Sequence, residues 1–321
     1  MGEDTLDLAA DLAVEAILRD ELAREDRAAA AVVPVLRHLL TSDAQALVSD
    51  AILARVRGMV VDCAAQMLNA MAGHGSATRA PTPADPSRRD HAALDQWAEA
   101  LLGETALLAF CHTLATESLL AERFQQRHAI DPVLSPLLQE LIASDDPAIA
   151  ALAMTTLAAQ SRFIQSQRRM ELPLGELPAE LFHAVIARGF AGVADDQART
   201  GLERLRRDYD EASSRLGLLA RLVASMRRGA VAAIALDHAG LALFATGLAA
   251  QTHLPRETGV LACHEGQGAR LALALRSAGL PLPMIERQFL LVEPSARMPR
   301  TIATLASDRA AALLAPDGAG Q

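Results

Sequence analysis

The side chains of this 321-residue chain best suited to acid–base or metal chemistry are nine histidines, three cysteines and 39 carboxylates, with arginine for anions. Lysine occurs at no position, so all 30 of the Lys and Arg residues are arginine. Without an ε-amine there can be no pyridoxal-phosphate Schiff base, no P-loop lysine and no strand lysine of the protein-kinase type. Arginine still allows carboxylate or phosphate recognition through its planar fork. Cys263-His264-Glu265 puts three metal-ligating types in a row. Adjacent helix positions point about a third of a turn apart, whereas ligand pairs favour spacings of three or four, so no metal or other cofactor is expected there. Gly266-Gln267-Gly268 reads as a turn between helices, not a phosphate cradle.

His112 is the histidine with the most suggestive context, Phe110-Cys111-His112-Thr113-Leu114-Ala115-Thr116-Glu117-Ser118. The stretch resembles the phosphoacceptor region of histidine-phosphotransfer domains, which present a neutral imidazole on a bundle helix to a response-regulator aspartyl phosphate. That resemblance makes His112 the phosphoacceptor candidate. Such domains carry a lysine and a glycine just after the histidine, and here Ala115 and Thr116 stand in that stretch. The competing reading is a partly buried imidazole hydrogen-bonded along its own helix. Gly73-His74-Gly75-Ser76 looks like a hydrolase glycine motif, but it precedes a proline-rich run and not a strand-to-helix elbow, so a flexible joint explains it better. Asp237, His238, His253 and Glu265 are the distant residues from which an enzyme site could be assembled by folding.

The elements that would position these groups are helices. Apolar residues make up 51% and aromatics 3%, with alanine and leucine abundant, and strand-favouring residues are scarce. The reading is an all-α chain of antiparallel helix pairs forming a bundle or a short HEAT-like array. A net charge of -9 opposes a phosphate backbone, so no nucleic-acid partner is expected. Arg204, Arg206 and Arg207, with Arg227 and Arg228, form the one basic stretch, but Glu203, Asp208, Asp210 and Glu211 interleave with them as on a solvated helix face. Cys63, Cys111 and Cys263 are far apart and odd in number, which fits a reducing cytoplasm. The acidic beginning of the chain lacks the basic, then apolar, pattern of a secretory leader. Gly229 to Ala250 is long and apolar, but Asp237 and His238 interrupt it, so no membrane span is expected.

Composition divides the chain into a helical segment at 1–72, a Pro/Gly-rich linker at 73–90, a main helical array at 91–315 and a tail at 316–321. Helices are expected at about Asp4–Arg27, at Ala28–Leu40, and from a Thr41-Ser42-Asp43 cap to Met71. After the linker they follow at His91–Leu102 and Glu104–His128. Asp131-Pro132 and Asp146-Pro147 each pair an acidic N-cap with proline at the first helical position, and each is expected to open a helix. A long helix is expected from Asp195-Asp196. On it Leu202, Leu205, Tyr209, Ala212, Leu216, Leu219, Val223 and Met226 alternate at spacings of three and four, as in a coiled-coil seam. The seam serves either an internal bundle or a homodimer. Short helices are expected to fill the remainder. Asp145-Asp146-Pro147-Ala148 with Leu152 recurs loosely as Asp195-Asp196-Gln197-Ala198 with Leu202, the kind of echo left by stacked helix pairs.

Leu243-Phe244-Ala245 through Leu254-Pro255, then Leu271 to Leu275 and Ala278-Gly279-Leu280-Pro281, resembles the end of an uncharacterised bacterial family that is all-helical and HEAT-like. The resemblance implies architecture and assigns no functional residue. With no organised catalytic cluster, the leading expectation is a non-enzymatic module that presents a helical surface to a protein partner.

Overall fold

The computed structural model describes residues 3–41, 49–73, 91–192 and 195–315. Among them every regular element is helical and no strand occurs, so the chain is all-α. The residues divide by their packing into two compact units. One comprises Met1–Ala31, Leu119–Ala143 and Val223–Gln321, and the other Val32–Ser118 and Ser144–Leu222.

The second of these units is built from α2 (Asp50–Met71), α3 (His91–Leu102), the first part of α4 (Thr105–His128), α6 (Pro147–Arg168), α7 (Ala179–Ala191), α8 (Asp196–Asp208) and most of α9 (Arg215–Ser225). Its core includes Val56, Met59, Cys63 and Met67 of α2, Leu101, Leu108 and Leu114 of α3 and α4, and Phe182, Leu202 and Leu205 further on. This core is aliphatic, methionine-rich and poor in rings, as the composition requires. Small residues set the closest approach within it. A Cβ on Gly201 of α8 would lie 1.9 Å from the carbonyl oxygen of Ala70 on α2, so α8 crosses α2 at nearly backbone contact. α2 and α3, on either side of the 73–90 stretch, pack on each other inside this unit.

The other unit contains the first part of α1 (Glu3–Thr41), the last turns of α4, α5 (Pro136–Ile142), α10 (Leu236–Thr252), α11 (Arg256–Ala262), α12 (Gly268–Ser277), α13 (Leu282–Val292) and α14 (Ser307–Leu314). α10 packs on α5, α11 and α12, and α12 packs on α13 and α14. Gly240 bends α10 near its start with φ 70°, a left-handed conformation that a side chain would resist. The kink, together with Asp237 near the start, keeps the apolar 229–250 stretch from forming one uninterrupted rod. Among the described residues no helix is long and apolar enough to cross a membrane.

Several expected boundaries hold and some move. Asp146 caps α6, its carboxylate accepting the amides of Ala148 (2.9 Å) and Ile149 (3.4 Å), and Asp195 caps α8 through Ala198. Asp131 does not open a helix. It accepts the amides of Val133 and Leu134 in a local turn, and the helix starts four residues later at Ser135-Pro136, where Ser135 Oγ accepts from the Leu138 amide. The first two expected helices are one, α1, running through Pro34. Of the Thr41-Ser42-Asp43 cap, Ser42 and Asp43 lie outside the described residues, and α2 begins after Ser49.

The largest correction concerns the 202–226 seam. The chain is not one helix there, because α8 stops at Asp208 and α9 starts at Arg215. Tyr209 leaves the helical path, stacks on Phe182 (centroids 3.9 Å apart, planes 9° apart) and donates its hydroxyl proton to the Leu177 carbonyl at 2.7 Å. Asp210 then caps a single 3₁₀ turn, and Ser214 Oγ accepts the Gly217 amide to launch α9. Leu202, Leu205, Leu219 and Val223 are buried, Tyr209, Leu216 and Met226 are half-buried, and Ala212 is exposed. Leu202 and Leu205 are absorbed by this chain's own core. The eight residues therefore do not lie on one continuous helix.

Candidate functional site

The most unusual polar grouping lies in the unit formed by 32–118 and 144–222. Arg215 begins α9, yet its side chain is only 2% exposed. Its guanidinium grips Glu117 of α4 with both terminal nitrogens, Nη1 to Oε1 at 2.8 Å and Nη2 to Oε2 at 2.9 Å. Nη1 also donates to Gln160 Oε1 of α6 at 3.0 Å, and the guanidinium carbon lies 3.6 Å from the Phe163 ring centroid. The Arg215 backbone amide donates to Glu176 Oε2 at 2.7 Å. This bidentate, desolvated pair with an aromatic beneath it is the strong form of an arginine contact. It joins α4, α6 and α9 at one point.

A continuous helix from Asp195 would set Arg215 on the flank of the 202–226 seam. The helix break between Tyr209 and Ser214 turns it inward instead. The signal available was on α4. Glu117 falls on the same stripe as Leu107, Phe110, Leu114 and Ala121, all buried, and a carboxylate on a buried stripe demands a cationic partner. Which arginine answers it could not be read from spacing.

Chemically the cluster is closed. Both carboxylate oxygens of Glu117 are taken up by Arg215, and the pair is out of reach of solvent. It braces the fold and does not present a reactive group. The cysteines are equally unsuited to attack. All three are buried, burial pushes the Cys111 thiol up to about 12, and burial first, then Cys111 and Asp62, raises that of Cys63.

The expected site residues are not brought together. His112 is half-buried on α4. Asp237 pairs with Arg287, and His238 Nε2 lies 3.4 Å from Glu140. Glu265 is held by Arg127 at 2.7 Å and Arg123 at 2.9 Å, and these two guanidinium groups lower its carboxyl pKa. His253 is the left-handed cap of α10. Cys263 is buried at the end of α11 beside an exposed His264, and among the described residues no three His, Cys, Asp or Glu side chains are grouped to hold a metal. His74, Gly75 and Ser76 lie outside the described residues. Arg204, Arg206 and Arg207 are exposed, as on a solvated face. An apolar recess lined by Leu248, Leu254, Ala274 and Arg270 has no room for even a water-sized molecule.

A second polar feature sits in the other unit, where α1 lies down with Glu15, Leu18, Leu22 and Glu25 buried along one stripe. Arg309 of α14 takes Glu15 through both a terminal and the ε nitrogen, which lowers the Glu15 pKa. Glu25 faces the start of α12. It accepts the Arg270 amide at 3.2 Å, with the Arg270 side chain 3.8 Å away. Burial outweighs this attraction and raises the Glu25 carboxyl to about 7.

Between about 4.5 and 7 the unfolded carboxyl has ionised while the folded one has kept its proton, so stability falls as pH rises through that window. Glu15 acts oppositely and lower, its contribution being lost only as pH drops through its depressed pKa. We expect the unit containing α12 to lose on the order of 1 kcal/mol between pH 5 and 8. Glu25→Gln should flatten that slope, which urea titrations across this range would show. An unchanged slope in the variant would remove Glu25 as its source.

Comparison of the chain with known protein families, with curated proteins and with solved structures finds no match.

Proposed function

We propose that this chain is a non-catalytic interaction module that docks a helix of a protein partner along α6. The observation that carries the reading is which residues α6 buries. Its interior face is small and polar, with Ala153, Thr156, Ala159, Gln160 and Gln167 all buried. Its larger aliphatic residues are less deeply buried than these. Met154 is 52% exposed, and Leu157 and Ile164 are only half-buried. Hydrophobic burial would ordinarily sort these the other way.

Met154 and its half-buried neighbours have a register. Ala150, Met154, Leu157, Ser161 and Ile164 follow spacings of four, three, four and three, which keeps them on one ridge of the helix. Exposed Ala151 and Ala158 flank the ridge and would let a second helix come close. An amphipathic helix with apolar residues at i, i+3, i+4 and i+7 is the complementary ligand. The bracing of α6 by Arg215 through Gln160, from beneath, suits a helix that must stay rigid while presenting its outer face. The HEAT-like pairing expected from the two acidic caps accords with such a surface.

The test is Met154→Arg. The site is solvent-exposed, so stability should change by no more than about 0.5 kcal/mol. Capture of partners from the native cell should fall at least tenfold for those proteins held by wild type. Undiminished capture by a folded Met154→Arg chain would contradict the reading.

A further inference from the structure

The second inference concerns the other unit and is independent of α6. The arm of α1 up to Ala31 is held by an ordered set of contacts. Glu15 and Glu25 mark the two ends of a stripe, with Leu18 (1% exposed) and Leu22 (5%) buried between them. The arginines that receive the two ends sit on neighbouring helices, Arg309 on α14 and Arg270 on α12, which pack on each other. Asp26 adds a second contact to Arg270. The pattern Glu-x2-Leu-x3-Leu-x2-Glu therefore meets a receptor with a cation at each end. Beyond it, the boundary between the units falls at Ala31/Val32 and Pro34 lies inside the helix. A proline there removes one backbone hydrogen bond and crowds the carbonyl four residues earlier, so α1 is weakest where the arm joins the remainder.

We propose that this arm exchanges between two copies of the chain, the arm of each seating on the α12–α14 receptor of the other. The arm and its receptor are complementary and every copy carries both, so reciprocal exchange reproduces every arm contact twice and needs no new surface. The occupant of the receptor is the same acidic helix whether it comes in cis or in trans, and protein concentration selects between them.

Charge reversal tests this on the full-length chain. E15R sets two arginines against each other in cis, and R309E sets two glutamates against each other. Mixing the two chains lets each arm find a receptor of opposite charge in trans, so native mass spectrometry should show a mixed dimer at least tenfold above either homodimer. The double variant E15R/R309E restores the pair within one chain and should behave as wild type. Two well-folded single variants that remain monomeric after mixing would overturn the proposal. Should either single variant fail to fold, wild-type chains bearing two different tags and refolded together at high concentration serve instead. Co-purification of both tags, abolished by Leu18→Asp, is expected, and no co-purification overturns the proposal.

Discussion

Replacing Glu117 by leucine is expected to cost about 3–5 kcal/mol. The reason is the partner left behind. Arg215 is 2% exposed, so without Glu117 its guanidinium is left buried with only Gln160 and the Phe163 ring beside it. Arg215→Met should cost less, because an orphaned Glu117 can take up a proton and become neutral. Pairing the two changes, Glu117→Leu with Arg215→Met, should recover most of the loss, since two apolar groups of similar volume replace a desolvated pair whose net worth is small. Urea unfolding of the four proteins completes a double-mutant cycle. A Glu117→Leu chain within 1 kcal/mol of wild type, a threshold set on the order of one ordinary hydrogen bond, would show that the pair does not brace α4, α6 and α9.

Gly201→Ala is the second large effect, and local and tertiary reasoning give it opposite signs. In a helix interior alanine is favoured over glycine by about 1 kcal/mol, so α8 taken alone should gain. The added methyl, however, would lie 1.9 Å from the Ala70 carbonyl oxygen and 2.7 Å from its carbon, and neither belongs to a side chain that could swing away. α8 and α2 must move apart, and the well-packed contacts around Leu202 and Met67 go with them. Overpacking of this kind costs about 1–3 kcal/mol and more where backbone is the obstacle, so the net expectation is a destabilisation of about 3 kcal/mol. Thermal unfolding should show a clear drop in Tm. A rise in Tm would mean that the two helices are not as close as described.

The helical elements were largely legible because their signals are local. Acidic caps at Asp146 and Asp195 act within a few residues, and α6 and α8 start directly after them. The failures share a cause. Asp131-Pro132 carries the same cap chemistry as Asp146-Pro147, but Ser135-Pro136 offers a competing start four residues on, and packing chose between them. The 202–226 seam has the right period, yet Tyr209 gains a stacking partner in Phe182 and an acceptor in Leu177, distant in sequence, and these contacts break the helix. Glu117 could be marked as needing a cation; that Arg215 supplies it depends on that same break. Of the expected site residues, the sequence could supply candidates such as His112, Asp237 and Glu265 but not their neighbours. Folding gives Asp237, His238 and Glu265 separate partners. The outward ridge of α6 was hidden for the opposite reason. Leu152, Leu157 and Ile164 look like core residues by type, yet they are only half-buried while Thr156, Gln160 and Gln167 are buried.

The docking role of α6 is tested most directly by placing a photo-crosslinking residue at Ala151, beside the ridge, and in a parallel chain at Glu203, an exposed position on α8. Irradiated in the native cell, the chain labelled at 151 should yield one or a few discrete heavier adducts that vanish in the Met154→Arg background, while the chain labelled at 203 yields none of them. Adducts of the same identity and intensity from both positions, or none from 151, would contradict the assignment of a partner helix to this face.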